Sequence, residues 1–543
     1  MILKRNFFIF VIIVFSIFYL FSAWVADDAY ITFRTIENFH QGYGLRWNII
    51  ERVQTYTHPL WMFNLLLGKY IIDDLYSLVL ILGYVYSLAT LYLLFLITKK
   101  NIQIFSLILL LFLSSRAIID FSSSGLENSL SYFLIALFFY IFYFKQQNKY
   151  FFLKLSLTLS AMFLNRMDLI IPFLTLAIYI FFIQSYKDKT LKISLKQGII
   201  GFAPVILWSL FALYYYGSFF ANSVIAKTNL GLPQVQLQIQ GFSYLYHNFL
   251  HDPLTSIVIY TTLIYTIFSK DKVSKILGLG LFFYLIYLIN VGADYMYGRF
   301  LTVPFIISLC ILGNSIKCNI KQYNIITILI LPFIMFNLYF YILKQQISST
   351  NYNFADERQF YYRATGLIPK ILGKAIPIEQ HFIETKALFE SNPNEPIVMG
   401  TMGFNGYLMA KYHPSKHIID ELGLTDPFLA AHPMRYGYWR IGHFVRLIPH
   451  EYFKSVQLQR NLITEPNDHT VLNQIFLISR APLNTPHRFQ AIIDYNTGQI
   501  FKTAKQAFEN YPYVIDMNAH RWENLWLKSH SSSGETPILY YNK

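Results

Sequence analysis

Long apolar runs separated by short polar segments fill the chain as far as about residue 343. A helix needs about 20 apolar residues to cross the roughly 30 Å hydrocarbon core of a bilayer. In lipid every backbone N–H and C=O needs an internal partner, so such runs are expected to be helices. The pattern predicts about eleven membrane-spanning helices, at residues 6–25, 75–98, 102–119, 126–144, 151–166, 168–184, 197–216, 254–269, 276–291, 300–316 and 324–343.

Positive charge is concentrated in one set of the connecting loops. With the N-terminus in the cytoplasm, these loops fall on the same side as Lys4 and Arg5, as the positive-inside rule expects for a bacterial inner membrane protein. They are the segments 99–100, 145–149, 187–196, 270–275 and 317–321. The extracytoplasmic face then receives 26–72, 120–125, 166–168, 217–252, 292–299 and everything after 345. Segment 59–72 is too short to span and is predicted to be an interfacial or partly inserted helix.

The rest of the chain is polar and contains no run long enough to span a bilayer. Its local patterns predict a strand at 396–400, a helix at 406–412 and a second strand at 417–420, an alternation typical of an α/β or α+β domain. The sequence therefore predicts a transmembrane domain, residues 1–343, and a soluble extracytoplasmic domain, residues 344–543.

Composition supports a membrane protein and argues against other classes. Hydrophobic residues make up 55% of the chain and charged residues 14%, and the mean hydropathy is +0.38. Much of the net charge of +14 lies in short loops between apolar runs, which argues against nucleic-acid binding. Cys310 and Cys318 lie in or beside an apolar run and cannot staple an exported domain, and the sequence has no Cys/His spacing typical of a metal site.

An acidic pair, Asp27 and Asp28, is predicted at the outer end of the first helix. Helix ends are wet, so carboxylates there need no functional explanation by themselves. The loop that they open is more specific, because it reads DDAYITFR at 27–34, GYGL at 42–45, ERV at 51–53 and THPLW at 57–61. This loop resembles the first extracytoplasmic loop of GT-C glycosyltransferases, specifically the group similar to mycobacterial terminal arabinofuranosyltransferases. It departs from that group at Gln54, where an acid is common, and at His58, where serine is common.

Further segments resemble the same group. They are SGLE at 124–127, NRMD at 165–168, YGSFFANSVIAK at 216–227, GADYMYGRFL at 292–301, GFNGY at 403–407, IID at 418–420, GLTDP at 423–427 and RIGH at 440–443. Met167 and Ala221 stand where the group usually has proline, and Pro304 completes the segment that begins at 292.

The resemblance implies a GT-C fold and an enzyme that moves a sugar, with inversion, from a polyprenyl phosphate to an acceptor hydroxyl outside the cytoplasm. It implies Asp27 as the base that takes the hydroxyl proton, with Asp28 orienting the acceptor, although which of the two leads stays open. The leaving phosphate needs cations nearby. The expected donor-binding residues are Arg34, Asn222, Lys227, Asp294 and Arg299, with Arg166 as a further cation. The expected acceptor-binding residues are His58, Asp420, Arg440 and His443, with Asp426 beside them.

Some of these residues also have a structural interpretation. Arg166 and Asp168 are expected to form a salt bridge, and Glu127 to begin a helix whose N-terminal dipole favours a carboxylate. Asp294 and Arg299 could pair to anchor a helix end, although a binding role is favoured.

Other functions stay open. A transporter or flippase for lipid-linked saccharides would explain the many helices, but it predicts internal repeats, which the sequence does not show. An O-antigen ligase type of enzyme is a further alternative. Arabinofuranose is the best-known donor sugar of the group, and the acceptor could be a glycan, a lipid-linked saccharide or an exported protein. Two adjacent carboxylates could hold a divalent cation, but nothing requires one.

Overall fold

The computed structural model describes residues 2–317, 319–342, 354–376, 397–400, 406–411, 413–435 and 439–511. The chain is a helical membrane protein. Within these residues five helices are long and apolar enough to cross a bilayer, or up to seven if each of two bent helix pairs is one span. The bent pairs are Asn6–Ser22 with Asp27–His40 and Ile102–Ser114 with Arg116–Ser122. Five shorter apolar helices in the described part of the chain have 10–17 residues.

The helices up to residue 215 are α1 (Ile2–Ser22), α2 (Asp27–His40), α3 (Pro59–Gly68), α4 (Leu75–Ile97), α5 (Ile102–Ser114), α6 (Arg116–Ser122), α7 (Asn128–Phe144), α8 (Phe151–Asn165), α9 (Ile171–Ile178), α10 (Ser185–Lys187) and α11 (Leu191–Tyr215). A 3-10 turn, Met167–Ile170, and a π-helical segment, Tyr179–Gln184, join α8 to α9 and α9 to α10. They are followed by α12 (Asn222–Thr228), α13 (Gln234–His251), α14 (Pro253–Phe268), α15 (Lys272–Asn290), α16 (Thr302–Ser315), α17 (Ile320–Ile342), α18 (Glu357–Thr365) and α19 (Leu367–Ile371).

Polar residues between the apolar runs set where several helices begin. The side chains of Asp74, Asn101, Asp252 and Asp271 each accept a backbone N–H in the first turn of α4, α5, α14 and α15. Such capping satisfies a donor that has no partner within the helix. Local sequence therefore determines these helix starts.

The predicted single helix at 102–119 is wrong, because the chain bends by 75° between α5 and α6. The hydroxyl of Ser115 accepts Ile118 N–H at 3.2 Å and begins a new helix. Asp252 accepts Ala117 N–H at 3.1 Å, and Arg116 donates to Asp356 at 2.8 Å. The partners that stabilise this break come from parts of the chain far away in sequence.

The chain divides into two compact units. The described residues of the first unit lie within 2–30, 58–208 and 233–376, and those of the second within 31–57, 209–232 and 397–511. The division does not coincide with the predicted boundary at 343/344. In the first unit Arg358 donates to the Ser22 carbonyl at 2.9 Å, and Thr365 donates to the Val25 carbonyl at 2.7 Å. The segment after the last long apolar helix is thus part of the first unit.

The second unit contains a two-stranded parallel sheet, β1 (Ile397–Gly400) and β2 (His417–Asp420), in the register Ile397 to His417. The two predicted strands are confirmed. The predicted helix at 406–412 is wrong over the described residues, which form a short 3-10 turn at Met409–Lys411. The other helices of this unit are α20 (Pro427–Ala431), α21 (Tyr452–Gln457), α22 (Pro466–Ser479), α23 (Arg488–Asn496) and α24 (Gln499–Asn510).

Side chains from these helices make the core of the second unit. Phe428, Leu429, Val471, Leu472 and Ala504 are fully buried in it. The early segment of this unit is fixed by direct bonds, because Asn48 both accepts Ile418 N–H at 2.9 Å and donates to the Ile418 carbonyl at 3.0 Å.

Candidate functional site

Asp27 and Asp28 form the first turn of α2. The predicted position at the end of the first helix is therefore shifted, since α1 ends at Ser22 and the pair opens the next helix. Carboxylates are favoured at helix N-termini by the helix dipole. Asp27 is buried, whereas the Asp28 side chain is 30% exposed and its Oδ2 lies 3.6 Å from Nη1 of Arg299. The acidic pair thus faces a cation from a distant segment.

Arg299 is surrounded by carboxylates. Besides Asp28, its Nη1 lies 3.6 Å from Asp294 Oδ2, and its Nη2 lies 3.5 Å from Glu127 Oε1. Its side chain is only 14% exposed, so these interactions are weakly screened by water. The structure brings together the predicted residues Asp28, Asp294 and Arg299 and adds Glu127 to them. We call these four residues, with His58, Arg166 and Asp168, the ionic cluster.

The turn before Arg299 is fixed by unusual backbone conformations. Ala293 and Gly298 have positive φ angles of 55° and 77°. A Cβ atom on Gly298 would lie 2.7 Å from Cβ of Ala117, so only glycine fits there. Tyr297 N–H donates to the Ala355 carbonyl at 3.0 Å, and Ala355 N–H donates to the Tyr295 carbonyl at 2.8 Å. These contacts hold Arg299 at the start of a 3-10 turn, Arg299–Leu301, that leads into α16.

Glu127 precedes α7, as predicted, but its carboxylate does not cap the helix. Its side chain is 1% exposed, and besides Arg299 it faces Arg166 Nε at 3.7 Å and His58 Nδ1 at 3.5 Å. Burial alone would raise the pKa of the Glu127 carboxyl, but Arg299, His58 and Arg166 together lower it to about 2. Glu127 is therefore an anion at every physiological pH.

The predicted salt bridge between Arg166 and Asp168 is confirmed. Arg166 Nε donates to Asp168 Oδ1 at 3.0 Å, and Nη2 donates to Oδ2 at 2.5 Å. The guanidinium also lies over the Phe300 ring, 4.6 Å from its centroid, and Tyr284 donates to Asp168 Oδ2 at 3.1 Å. Two bonds in a fork geometry fix the orientation of Arg166.

His58 immediately precedes α3 and is buried. Burial lowers the pKa of its imidazole; Glu127 opposes this, while Arg299 lowers the pKa further. The imidazole is therefore neutral at neutral pH. Trp61, one turn later, donates to the Gly125 carbonyl at 3.0 Å, and Ala26 N–H donates to the Ser124 carbonyl at 2.8 Å. These two bonds bring His58, the acidic pair and the SGLE turn together.

An apolar cavity of about 400 Å³ lies among helices of the first unit. It is bounded by α8, by the helix Met167–Lys187 and by α11, and its lining includes Ile170, Phe173, Ala177, Phe181, Gly198 and Phe202. Ile170 belongs to the same 3-10 turn as Asp168. One lining residue therefore lies two positions after Asp168 of the ionic cluster, and the rest of the lining is apolar.

The other predicted donor-binding residues lie in the second unit. Arg34 donates to the carbonyls of Trp47, Met409 and Lys416 at 3.2–3.3 Å, which gives its buried guanidinium a structural role. Asn222 donates to the Gly423 carbonyl at 2.8 Å. Lys227 lies in the last turn of α12 and is exposed.

The predicted acceptor-binding residues of the C-terminal part also lie in the second unit. Asp420 is buried and accepts Thr425 N–H at 2.8 Å, so it shapes its own loop. Arg440 and His443 form an antiparallel bridge. Burial and the nearby Arg440 lower the pKa of His443 to about 3.

Asp426 precedes α20 and accepts Phe428 N–H and Leu429 N–H, each at 3.0 Å, and the Tyr452 hydroxyl at 2.9 Å. Burial raises the pKa of the Asp426 carboxyl to about 7, with a further rise from the Glu51 carboxylate.

Of the segment 403–407, which also resembles the group named above, residues 403–405 lie outside the described residues.

A second buried ionic group in the first unit was missed. Arg116 donates to Asp356 at 2.8 Å, and His251 Nε2 lies 3.3 Å from the same carboxylate oxygen. Arg358 Nε lies 3.6 Å from Asp120. The sequence signal was an arginine inside an apolar run, where a charged residue is expensive unless it is paired.

Within the described residues, no group of three or more His, Cys, Asp or Glu side chains is arranged to hold a metal ion. The chain matches no protein-family model, no curated protein and no solved structure.

Proposed function

We propose that the chain is an inverting glycosyltransferase that moves a sugar from a polyprenyl phosphate to an acceptor hydroxyl. The observation that carries this proposal is the 3.6 Å approach of the partly exposed Asp28 carboxylate to Arg299, in a loop that resembles the GT-C enzymes. A carboxylate and a buried guanidinium, side by side, are the two groups that such a transfer needs.

The chemistry is a single displacement. The acceptor oxygen attacks the anomeric carbon, its proton passes to Asp27, and the bond from the anomeric carbon to the phosphate oxygen breaks. Asp28 orients the acceptor. Arg299 stabilises the charge that develops on the departing polyprenyl phosphate, and in a water-poor site this contribution is large. Attack opposite to the leaving phosphate inverts the anomeric centre.

The apolar cavity supports a lipid-linked donor. Its volume of about 400 Å³ is in the range of small-molecule pockets, and its apolar lining suits a hydrocarbon chain. A chain bound in it would have its phosphate on the side of Ile170, which lies two positions after Asp168.

For the membrane arrangement we propose eleven spans in a bacterial inner membrane. They are the seven spans counted with the bent pairs and four shorter apolar helices, Asn128–Phe144, Phe151–Asn165, Pro253–Phe268 and Arg299–Ser315. The N-terminus would lie in the cytoplasm and a C-terminal α/β domain outside it, because this threading gathers the lysine-bearing loops on one side.

The acceptor class is a glycan, a lipid-linked saccharide or an exported protein, and arabinofuranose is the first donor sugar to test. We propose His58, Asp420, Arg440 and His443 as acceptor-binding candidates. Asp294 is the candidate that would bind the donor with Arg299 in the first unit, and Arg34, Asn222 and Lys227 are the donor-binding candidates of the second unit.

A transporter for lipid-linked saccharides is a second candidate, and one observation favours it. Helices broken inside the membrane, with charged residues at the break, are typical of transporters. The pair α5 and α6 is bent by 75° and has Arg116 at the break. A transporter would move the labelled lipid from one leaflet to the other in the bilayer of proteoliposomes, without forming a glycosylated product.

The deciding experiment is turnover of a panel of labelled polyprenyl-phosphate sugars by the purified full-length protein. Wild type, Asp27→Asn and Asp28→Asn are compared, and the anomeric configuration of the product is determined by NMR. Transfer by wild type that both substitutions abolish supports the proposal. If wild type consumes no donor but moves it across the bilayer, the transporter is the better description.

A further inference from the structure

The Glu127 carboxylate is buried against three groups that carry or can accept positive charge. Its Oε1 lies 3.5 Å from Arg299 Nη2 and 3.7 Å from Arg166 Nε, and its Oε2 lies 3.5 Å from His58 Nδ1. Only 1% of the side chain is exposed. A buried carboxylate is strongly disfavoured unless it is paired, and breaking such a pair leaves an uncompensated charge. The charge of Glu127 therefore depends on these partners, and Arg299 in turn loses a buried counter-ion if Glu127 is neutralised.

Arg299 shows what this dependence means for the site. Its guanidinium is a planar fork with donors at fixed angles. Since Nη2 faces Glu127, the direction of Nη1 is determined, and Nη1 lies 3.6 Å from both Asp28 and Asp294. With Glu127 neutral, the ion pair at Nη2 would be lost, and the direction of Nη1 toward Asp28 and Asp294 would no longer be fixed. Glu127 has no role in the proton transfer or bond breaking proposed above.

We propose that Glu127 is a positioning residue that holds Arg299 toward Asp28 and the leaving phosphate, and that protonated His58 weakens this hold by competing for Glu127. This inference rests on the proposed function. It assigns a role to a glutamate that the sequence explained as a helix start, and to a histidine where the resembling group commonly has serine.

The charged and titratable groups that act on His58 are Glu127, Asp28, Arg299 and Arg166. Burial lowers the pKa of the imidazole; Glu127 and Asp28 oppose this, and the two arginines reinforce it. His58 is therefore neutral at neutral pH and leaves Glu127 to the arginines. In acid the imidazolium pairs with Glu127 Oε2, so the contact between Glu127 and Arg299 weakens and transfer slows.

The test compares wild type, Glu127→Gln, Glu127→Asp and His58→Ser as full-length proteins in lipid nanodiscs. The kcat and the donor KM are measured between about pH 5 and 8, with polyprenyl phosphate binding as a separate measurement. We expect Glu127→Gln to lower kcat on the order of 100-fold with little change in donor KM, because a misplaced group has that effect on transition-state geometry. Glu127→Asp should recover part of the loss. His58→Ser should flatten the fall in relative kcat toward acid pH.

Glu465→Gln is the matched control, since Glu465 likewise precedes a helix but lies outside the ionic cluster. Its side chain accepts Asp468 N–H. It should leave kcat unchanged. A wild-type kcat in Glu127→Gln, or an unchanged acid limb in His58→Ser, overturns the inference while wild-type turnover leaves the proposed function standing. If Glu127→Gln does not fold, Glu127→Asp and the His58→Ser pH profile decide. If wild type neither transfers sugar nor binds polyprenyl phosphate, both proposals fail together.

Discussion

Arg299 Nη1 and Asp28 Oδ2 lie 3.6 Å apart, although the two residues belong to motifs in distant parts of the chain. Asp28 lies in the first turn of α2, and Arg299 follows a left-handed glycine and begins the 3-10 turn that leads into α16. Each residue is at a helix end, where a side chain can reach water and a ligand while its backbone stays fixed. This relationship connects two motifs that the sequence could only treat separately.

Replacing Arg299 with lysine keeps the positive charge and removes the planar fork. A lysine ammonium cannot face Glu127 and Asp28 with two separate donors, so Arg299→Lys should lower kcat/KM by about 10- to 100-fold in the proposed reaction. Steady-state kinetics with a labelled polyprenyl-phosphate sugar measures this. Arg460→Lys, at an exposed position, is the control and should behave as wild type. Equal activity of Arg299→Lys and wild type would contradict a role for the fork geometry.

Local patterns predicted the apolar helices well, because hydrophobic runs and helix caps are encoded in neighbouring residues. The salt bridge between Arg166 and Asp168 was likewise predictable, since the two side chains are two positions apart. The break at Ser115 was not, because it depends on Asp252 and Asp356. The order of residues along the chain does not reveal that these two carboxylates lie near Ser115, because only the packing of the helices brings them there.

The ionic cluster shows the same limit. Its motifs were recognised one by one, but the meeting of Glu127 with Arg299 requires the starts of α7 and α16 to be brought together. Glu127 was explained by the helix dipole, a local cause, while its burial has a tertiary one. His58 was predicted to bind the acceptor and was noted as a departure from a motif, but its contact with Glu127 was not predicted. Its contact with Glu127 gives that departure a physical meaning.

Gly125 and Gly42 provide a matched pair of left-handed glycines. Their φ angles are 80° and 88°, so alanine is strained at both, by roughly 1–2 kcal/mol. At Gly125 the new Cβ would also lie 2.9 Å from Ala29 Cβ and Val25 Cγ1, whereas nothing lies within 4 Å at Gly42. Gly125→Ala should therefore lower the thermal unfolding midpoint more than Gly42→Ala. Equal shifts would show that crowding at the SGLE turn has no effect on stability.

The apolar cavity can be filled from one side. A Cβ on Gly198 would already lie 3.3 Å from the Phe181 ring, and a leucine side chain would extend into the cavity. Gly198→Leu should raise the KM for a long-chain polyprenyl donor severalfold and change the KM for a short-chain donor less, because only the long chain needs the space. Ile200→Leu is the control, since Ile200 is exposed on the same helix and does not line the cavity. An equal effect on both donors would argue against a chain in the cavity.

Asp426 predicts how the stability of the protein depends on pH. Its pKa is raised by burial to about 7 in the folded state, compared with about 3.9 in an unfolded chain. Between about pH 4 and 7 the folded state therefore holds a proton that the unfolded state has lost. This residue's stabilising contribution is complete below about pH 4 and is lost as the pH rises through 7.

Asp426→Asn cannot titrate, yet its side-chain oxygen can still accept the N–H groups at the start of α20. Thermal unfolding of the full-length protein at about pH 5 and pH 8 should show a larger loss of stability in wild type than in Asp426→Asn. Glu509→Gln, a change at an exposed carboxylate, should follow wild type. The same pH dependence in wild type and Asp426→Asn would mean that Asp426 is ionised in the folded protein, held as a carboxylate by its three hydrogen bonds.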